Sequence, residues 1–184
     1  MPRSGAEART RLQEAALELY RERGYDATTT AQIADRAGVT ERTFFRHFGD
    51  KREVLFDGEG ELSRVLTEAI ADAPADMAPL TVLSQAFTAA IPLFVAGRRV
   101  AELRQPVIDA TPALQERAHA KSAAIADAVQ GVLVARGLAE GTAQLAAQIG
   151  LAAFRRAIAG WNGTSAPDLA RRITEAFEEV RALG

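Results

Sequence analysis

Between Thr28 and Phe48 the chain reads TTTAQIADRAGVTERTFFRHF, two short helical runs around a single Gly-Val pair. Thr29 with Gln32 forms a capping box, which starts the first run. Gly38 ends it, because glycine takes the positive φ of a tight turn without strain. Thr40 caps the second run. Ala34 is small enough for two helices to cross closely, and Val39 can plug the junction. Ile33, Ala37, Val39, Phe44 and Phe48 then form a buried side. A hairpin this short has one face to bury, so the remaining residues must be explained by something else.

Those residues are Glu41, Arg42, Thr43, Phe45, Arg46 and His47. Short polar groups near the start of a helix suit base edges in a major groove, and longer cations suit phosphates. Thr29, Thr30 and the first N–H groups of the preceding helix can take a phosphate at a helix N-terminus. Lys51 falls at the expected start of a fourth helix, where its charge opposes the dipole. A phosphate opposite it would account for that placement.

Periodicity along the rest of the chain predicts an all-α protein. Strand signals are absent, and Ala, Leu, Arg and Glu dominate. A first helix is predicted from about Ala6 to Arg23, with Leu12, Ala15, Ala16 and Leu19 on one stripe and Gly24 at its end. Asp50 with Glu53 reads as a second capping box, opening a long fourth helix to about Ala73. Further helices are expected over 77–96, 98–110, 112–136, 143–161 and 166–182. Gly97, Thr111-Pro112, Gly137, Gly141 and Ser165-Ala166-Pro167 punctuate them. Pro92 and Pro106 should kink or break the helical patterns that contain them.

Several function classes are disfavoured. The chain has no Cys and two His, so no disulfide framework and no metal site is expected. It has no P-loop, no Gly-x-Ser-x-Gly and no His-Glu-x-x-His, which argues against an enzyme and against a cofactor. The formal net charge of −2 argues against a uniformly basic nucleic-acid binder. The opening MPRSGAEART lacks the apolar core of a secretory signal, and no run of ~18 apolar residues follows. A cytoplasmic protein without a membrane span is therefore expected.

Residues 8–56, including ALELYRERGYDATTTAQIADRAGVTERTFFRHFGDKREVLF, resemble the DNA-binding domain of the TetR family of bacterial one-component repressors. The resemblance implies an N-terminal three-helix helix-turn-helix domain, taken here as residues 1–50. It also implies a helical ligand-binding and dimerisation domain over 51–184. By motif position, Ala31, Thr40, Glu41, Arg42 and Thr43 would lie at or near base edges of double-stranded DNA. Thr29, Thr30, Phe45, Arg46, His47 and Lys51 would lie at or near its backbone. The chain has Phe45 where the family commonly has Tyr, so contact with sugar or a thymine methyl replaces a hydroxyl bond to phosphate. Arg42 stands where small residues are frequent, and it can read guanine O6 and N7.

Two faces beyond the head carry further expectations. Over 142–161, one stripe is large and apolar (Ala147, Leu151, Phe154, Ile158, Trp161) and a second is mostly small (Ala146, Ile149, Gly150, Ala153, Ala157, Gly160). A helix apolar on two sides must be buried on both. A homodimer seam is expected from Leu145, Ile149, Gly150, Ala153, Ala157, Ile173 and Phe177. Phe87, Ile91, Phe94, Leu103, Val107 and Phe154 are the expected lining for a small apolar or amphipathic effector. The fourth helix, running from the head into the core, is the expected transmitter. The alternatives are a helical ligand-binding or adaptor protein without DNA-regulated function, and an activator with no small-molecule inducer.

Overall fold

The computed structural model describes residues 3–183, without the side chains of Arg3, Ser4 and Glu59. Among the described residues the regular structure is helical. The helices are α1 (Arg3–Arg23), α2 (Thr30–Arg36), α3 (Glu41–His47), α4 (Glu59–Asp72), α5 (Pro79–Ala89), α6 (Ile91–Asp109), α7 (Pro112–Ala135), α8 (Glu140–Ile158) and α9 (Ala166–Arg181). A 3-10 turn spans Glu53–Phe56. Two compact units result: Met1–Asp57 with Arg99–His119, and Gly58–Arg98 with Ala120–Gly184.

In the first unit α1 buries Leu12, Ala15, Ala16 and Leu19, the expected stripe. These meet Ile33 and Ala34 of α2 and Phe44 of α3 in one cluster. Gly24 at φ +84 ends α1, and its N–H donates to Tyr20 O at 3.0 Å. Gly38 at φ +66 makes the turn, closed by Val39 N–H on Ala34 O at 2.9 Å.

The long fourth helix does not form. Asp50 caps the following backbone as expected, with Oδ1 accepting from Arg52 N (2.7 Å) and Glu53 N (3.0 Å). The helix it opens is only a 3-10 turn, because Val54, Leu55 and Phe56 are all buried in the head. Three consecutive residues cannot share one face of an α-helix, which repeats every 3.6 residues. The chain then breaks at Asp57 and at Gly58, whose φ is +93, before α4 starts.

The boundary expected after residue 50 also differs from the observed division. Val107, Ile108 and Leu114 of the α6–α7 hairpin are buried in the head's cluster. Arg104 donates to Leu55 O at 3.1 Å, and Arg117 pairs with Glu53. The head therefore takes in the 3-10 turn and a hairpin remote in sequence.

The second unit is built around Leu66 and Ile70 of α4, Leu83 and Phe87 of α5, Phe154 of α8, and Ile173 and Phe177 of α9. Arg136 holds the end of α4, donating to Ile70 O (3.1 Å), Ala73 O (2.6 Å) and Pro74 O (2.6 Å). A cation on these last carbonyls complements the helix dipole. The expected break at Gly97 is absent, and α6 runs through it. The break falls at Ala90 instead, with a 55° bend. Pro92 sits in the first turn of α6, where a missing N–H costs nothing, and it disfavours helix in the residue before it. Pro106 is accommodated inside α6.

No single helix among the described residues is long and apolar enough to cross a membrane. The bent α5–α6 pair passes that test by composition, but α5 buries Val82, Leu83, Ala86 and Phe87 within its own unit.

Candidate nucleic-acid interface

The interface is made by the amino ends of α2 and α3. Thr29 caps α2 reciprocally: its hydroxyl accepts from Gln32 N at 3.2 Å, and its N–H donates to Gln32 Oε1 at 3.0 Å. Thr40 caps α3, accepting from Thr43 N at 3.2 Å, with the two hydroxyls 3.0 Å apart. These caps fix where each helix starts, and so which side chains point outward. Phe44 is fully buried and Phe45 is 54% exposed, although they are neighbours. Their rings meet edge to face at 5.4 Å. Thr29, Ala31, Thr40, Glu41, Arg42, Phe45 and Arg46 are exposed, and Thr30, Thr43 and His47 are half-buried. The Thr30 hydroxyl donates to Glu41 Oε1 at 2.5 Å, joining the two helix starts.

The cations around this surface divide sharply. Arg9 grips Asp57 through two bonds of 2.7 and 2.6 Å, and its guanidinium lies 4.9 Å from the Phe48 ring centroid. Arg36 pairs with Glu18 and Glu22, and Arg52 with Asp50. Among the described residues Arg42 and Arg46 have no ion-pair partner. Counting positive charge along the sequence could not separate these groups.

Lys51 corrects an expectation. It precedes a 3-10 turn rather than opening a long helix. Its ammonium donates to Tyr25 O (2.9 Å), Thr28 O (2.9 Å) and Asp26 O (3.5 Å), and lies 4.3 Å from the Tyr25 ring centroid. Tyr20 Oη donates back to Lys51 O at 2.6 Å. The three protons of an ammonium are thereby engaged. Lys51 staples the α1–α2 loop in place behind the Thr29 cap instead of standing free for phosphate. Tyr20 and Tyr25 are the residues that sequence reasoning missed here. A cation–π pair leaves no periodic signal.

His47 is a second correction. Its Nε2 is buried without a hydrogen-bond partner, so that nitrogen is turned away from any backbone contact. Burial, then Arg46 and Arg9, holds the imidazole below its usual pKa, so the ring is neutral at pH 7.

Residues 12–57 match the model for bacterial regulatory proteins of the tetR family. The head is a tetR-family domain. The chain is 40% identical over 83 residues to the HTH-type transcriptional regulator TcmR of Streptomyces glaucescens, covering 45% of this chain and 37% of that protein. It thus spans well under half the length of this curated relative. A putative TetR-family regulator from Mesorhizobium loti superposes with TM-score 0.59 at 22% identity, covering 97% of each chain. SmeT in complex with triclosan superposes with TM-score 0.61 at 20% identity, covering 96% of this chain and 90% of that one. These similarities extend the tetR-family fold beyond the head to the helical remainder. The family is one of regulators rather than enzymes.

The other expected sites of this tetR-family chain are rearranged. Gly150, Ala153, Ala157, Ile173 and Phe177 are buried in the core of their own unit and are not free for a partner. At Gly150 a Cβ would stand 3.2 Å from Leu83 Cδ1 and 3.4 Å from Phe87 Cε2, so the small face of α8 admits α5. Leu145 and Ile149 are exposed, at 65% and 38%. Phe87, Ile91, Phe94 and Phe154 share one cluster, with Phe87 stacked on Phe154 at 4.5 Å. Leu103 and Val107 pack in the head's cluster instead, because α6 is continuous and its carboxyl half belongs there. Val107 lines an open recess of about 550 Å³ on the head with Tyr20, Tyr25 and Pro106. The six expected pocket residues therefore do not form one site.

Proposed function

We propose that the chain is a ligand-responsive transcriptional repressor that binds a pseudo-palindromic operator as a homodimer. The observation that carries the DNA-binding part is the unpaired state of Arg42 and Arg46 on the exposed face of a capped helix, with Phe45 between them. Every other arginine near that surface with a recorded partner is held by a carboxylate within its own unit. Two guanidiniums left unpaired and an exposed aromatic ring suit a polyanion with apolar base and sugar surfaces. The site of action is then the compartment that holds the DNA, the cytoplasm of a bacterial cell.

The dimer reading moves from the small face of α8 to its outer face. Thr142, Leu145, Ile149 and Ala152 are exposed there at helical spacing. Two copies related by a two-fold axis would cover them and set two heads on successive half-sites. The effector reading draws on the triclosan bound to SmeT and on the Phe87, Phe94 and Phe154 rings, which offer aromatic surface to an apolar molecule. Such a molecule must bind the DNA-free state more tightly than the DNA-bound state, since equal affinity shifts nothing. Because α4 is cut off from the head at Gly58, the helices that belong partly to each unit, α6 and α7, replace it as the proposed transmitters.

The test is a band shift on random duplexes across a salt series. Log affinity should fall linearly with log salt, by roughly 0.9 per phosphate neutralised. A chain that binds no duplex at low salt would be a helical ligand-binding or adaptor protein instead. Sedimentation of the Leu145→Glu/Ile149→Glu double variant tests the seam: a folded monomer supports it, and an unchanged dimer rejects it.

A further inference from the structure

The amino ends of α2 and α3 are joined by one side-chain hydrogen bond, from the Thr30 hydroxyl to Glu41 Oε1 at 2.5 Å. A hydroxyl carries one proton, so Thr30 cannot donate to a phosphate while it holds Glu41. Glu41 is exposed and stands in the first turn of α3, where the helix dipole favours a carboxylate. Its second oxygen, Oε2, makes no hydrogen bond within the protein. The pair therefore presents one oriented acceptor beside the unpaired guanidinium of Arg42.

We infer that Glu41 reads the amino group of a cytosine in the major groove, and that Thr30 is the positioning residue that aims it. This rests on the DNA-binding reading above. A carboxylate only accepts hydrogen bonds. Guanine presents N7 and O6 acceptors and thymine presents O4, so both repel it. Adenine offers its amino group beside the N7 acceptor, an edge that suits an amide with both a donor and an acceptor. Cytosine presents the N4 amino donor alone. Arg42, next in the chain, has the complementary preference for guanine O6 and N7. Glu41 thus contributes mostly by rejection: a wrong base leaves an acceptor facing an acceptor.

The experiment selects binding sites from random duplexes with the full chain as wild type, Glu41→Ala, Glu41→Gln, Thr30→Val and Thr30→Ser, each first checked for native helicity. The wild type should select cytosine at one position of each half-site. Glu41→Ala should weaken that preference by roughly tenfold and leave the other positions unchanged. Glu41→Gln should move the choice at that position toward adenine, since an amide pairs with N6 and N7. Thr30→Val should weaken the same cytosine preference with an unchanged salt slope, and Thr30→Ser should restore it. A Glu41→Ala profile identical to wild type overturns the assignment, as does a Glu41-dependent position that prefers guanine, thymine or adenine. A Thr30→Val variant that weakens all sequences equally and flattens the salt dependence makes Thr30 a phosphate donor and overturns the positioning role. A wild type that binds no duplex removes the DNA-binding reading itself and this assignment with it. A wild type that binds with a Glu41-independent profile removes this assignment alone.

Discussion

Helix α3 and helix α8 both have more surface in the sequence than one packed face requires, and the structure resolves the surplus in opposite ways. On α3 the surplus is Glu41, Arg42, Phe45 and Arg46, and it stays exposed. On α8 the surplus is Gly150, Ala153 and Ala157, and it is buried against the chain's own core. The difference lies in the chemistry of the spare residues. A guanidinium or carboxylate is too costly to bury without a partner, so a leftover charged face is a solvent face. Small apolar residues carry no such penalty, so they are equally at home against a helix of the same chain or of a second copy. Charge therefore reports where a surface is, and small apolar size reports only that something comes close.

The largest effect tests the α8 side. Gly150→Arg should unfold the second unit, at a cost above about 4 kcal/mol, because it forces a charged side chain against Leu83 and Phe87. Thermal denaturation followed by circular dichroism reads this. A well-folded Gly150→Arg monomer would return that face to the dimer seam and erase the contrast with α3.

Next in size is Lys51→Ala. It removes donors from three loop carbonyls and a contact with the Tyr25 ring. A loss of about 1–3 kcal/mol in urea denaturation is expected, discounted for the partial exposure of Lys51. A variant of unchanged stability with a salt slope shallower by about one unit would instead make Lys51 a phosphate contact like Arg46.

Arg42→Ala sharpens the α3 side. It should leave stability within about 0.5 kcal/mol and cost about 1–3 kcal/mol at a single base pair. Competition binding on a set of single-base operator variants distinguishes this from a uniform loss.

The smallest expected effect is acid destabilisation through His47. Its folded-state pKa is depressed, so protonation favours the unfolded chain. The stabilising contribution is full above the unfolded value of about 6.5 and is lost as pH falls from there through the lower folded value. Urea midpoints should drop by less than about 1 kcal/mol between pH 7 and 5.5, and His47→Asn should remove that part of the drop. A midpoint of the wild type that rises on acidification would mean that His47 gains a partner when charged.

Much of the head was legible from sequence because its signals are local. The Thr29–Gln32 capping box, the Gly38 turn and the Thr40 cap each specify backbone geometry within a few residues, and all of them form. The helix assignments after residue 57 hold where punctuation is equally local, as at Pro112 and Ser165. They fail at Asp50–Ala73 and at Gly97. The first failed because three adjacent apolar residues had to enter one core, and the second because a proline can start a helix as readily as it stops one.

The sequence alone determined the helical class, the register of α2 and α3, and the outward aim of Glu41, Arg42, Phe45 and Arg46. Those follow from caps, turns and the cost of burying charge, all of which act over one or two helical turns. Tertiary structure alone decided which cations are already paired, that Lys51 is spent on loop carbonyls, and that residues 99–119 complete the head. It also decided that the small face of α8 looks inward. Each of these depends on partners tens of residues away in the chain, such as Leu83 for Gly150 and Tyr25 for Lys51, and no local pattern encodes such a meeting.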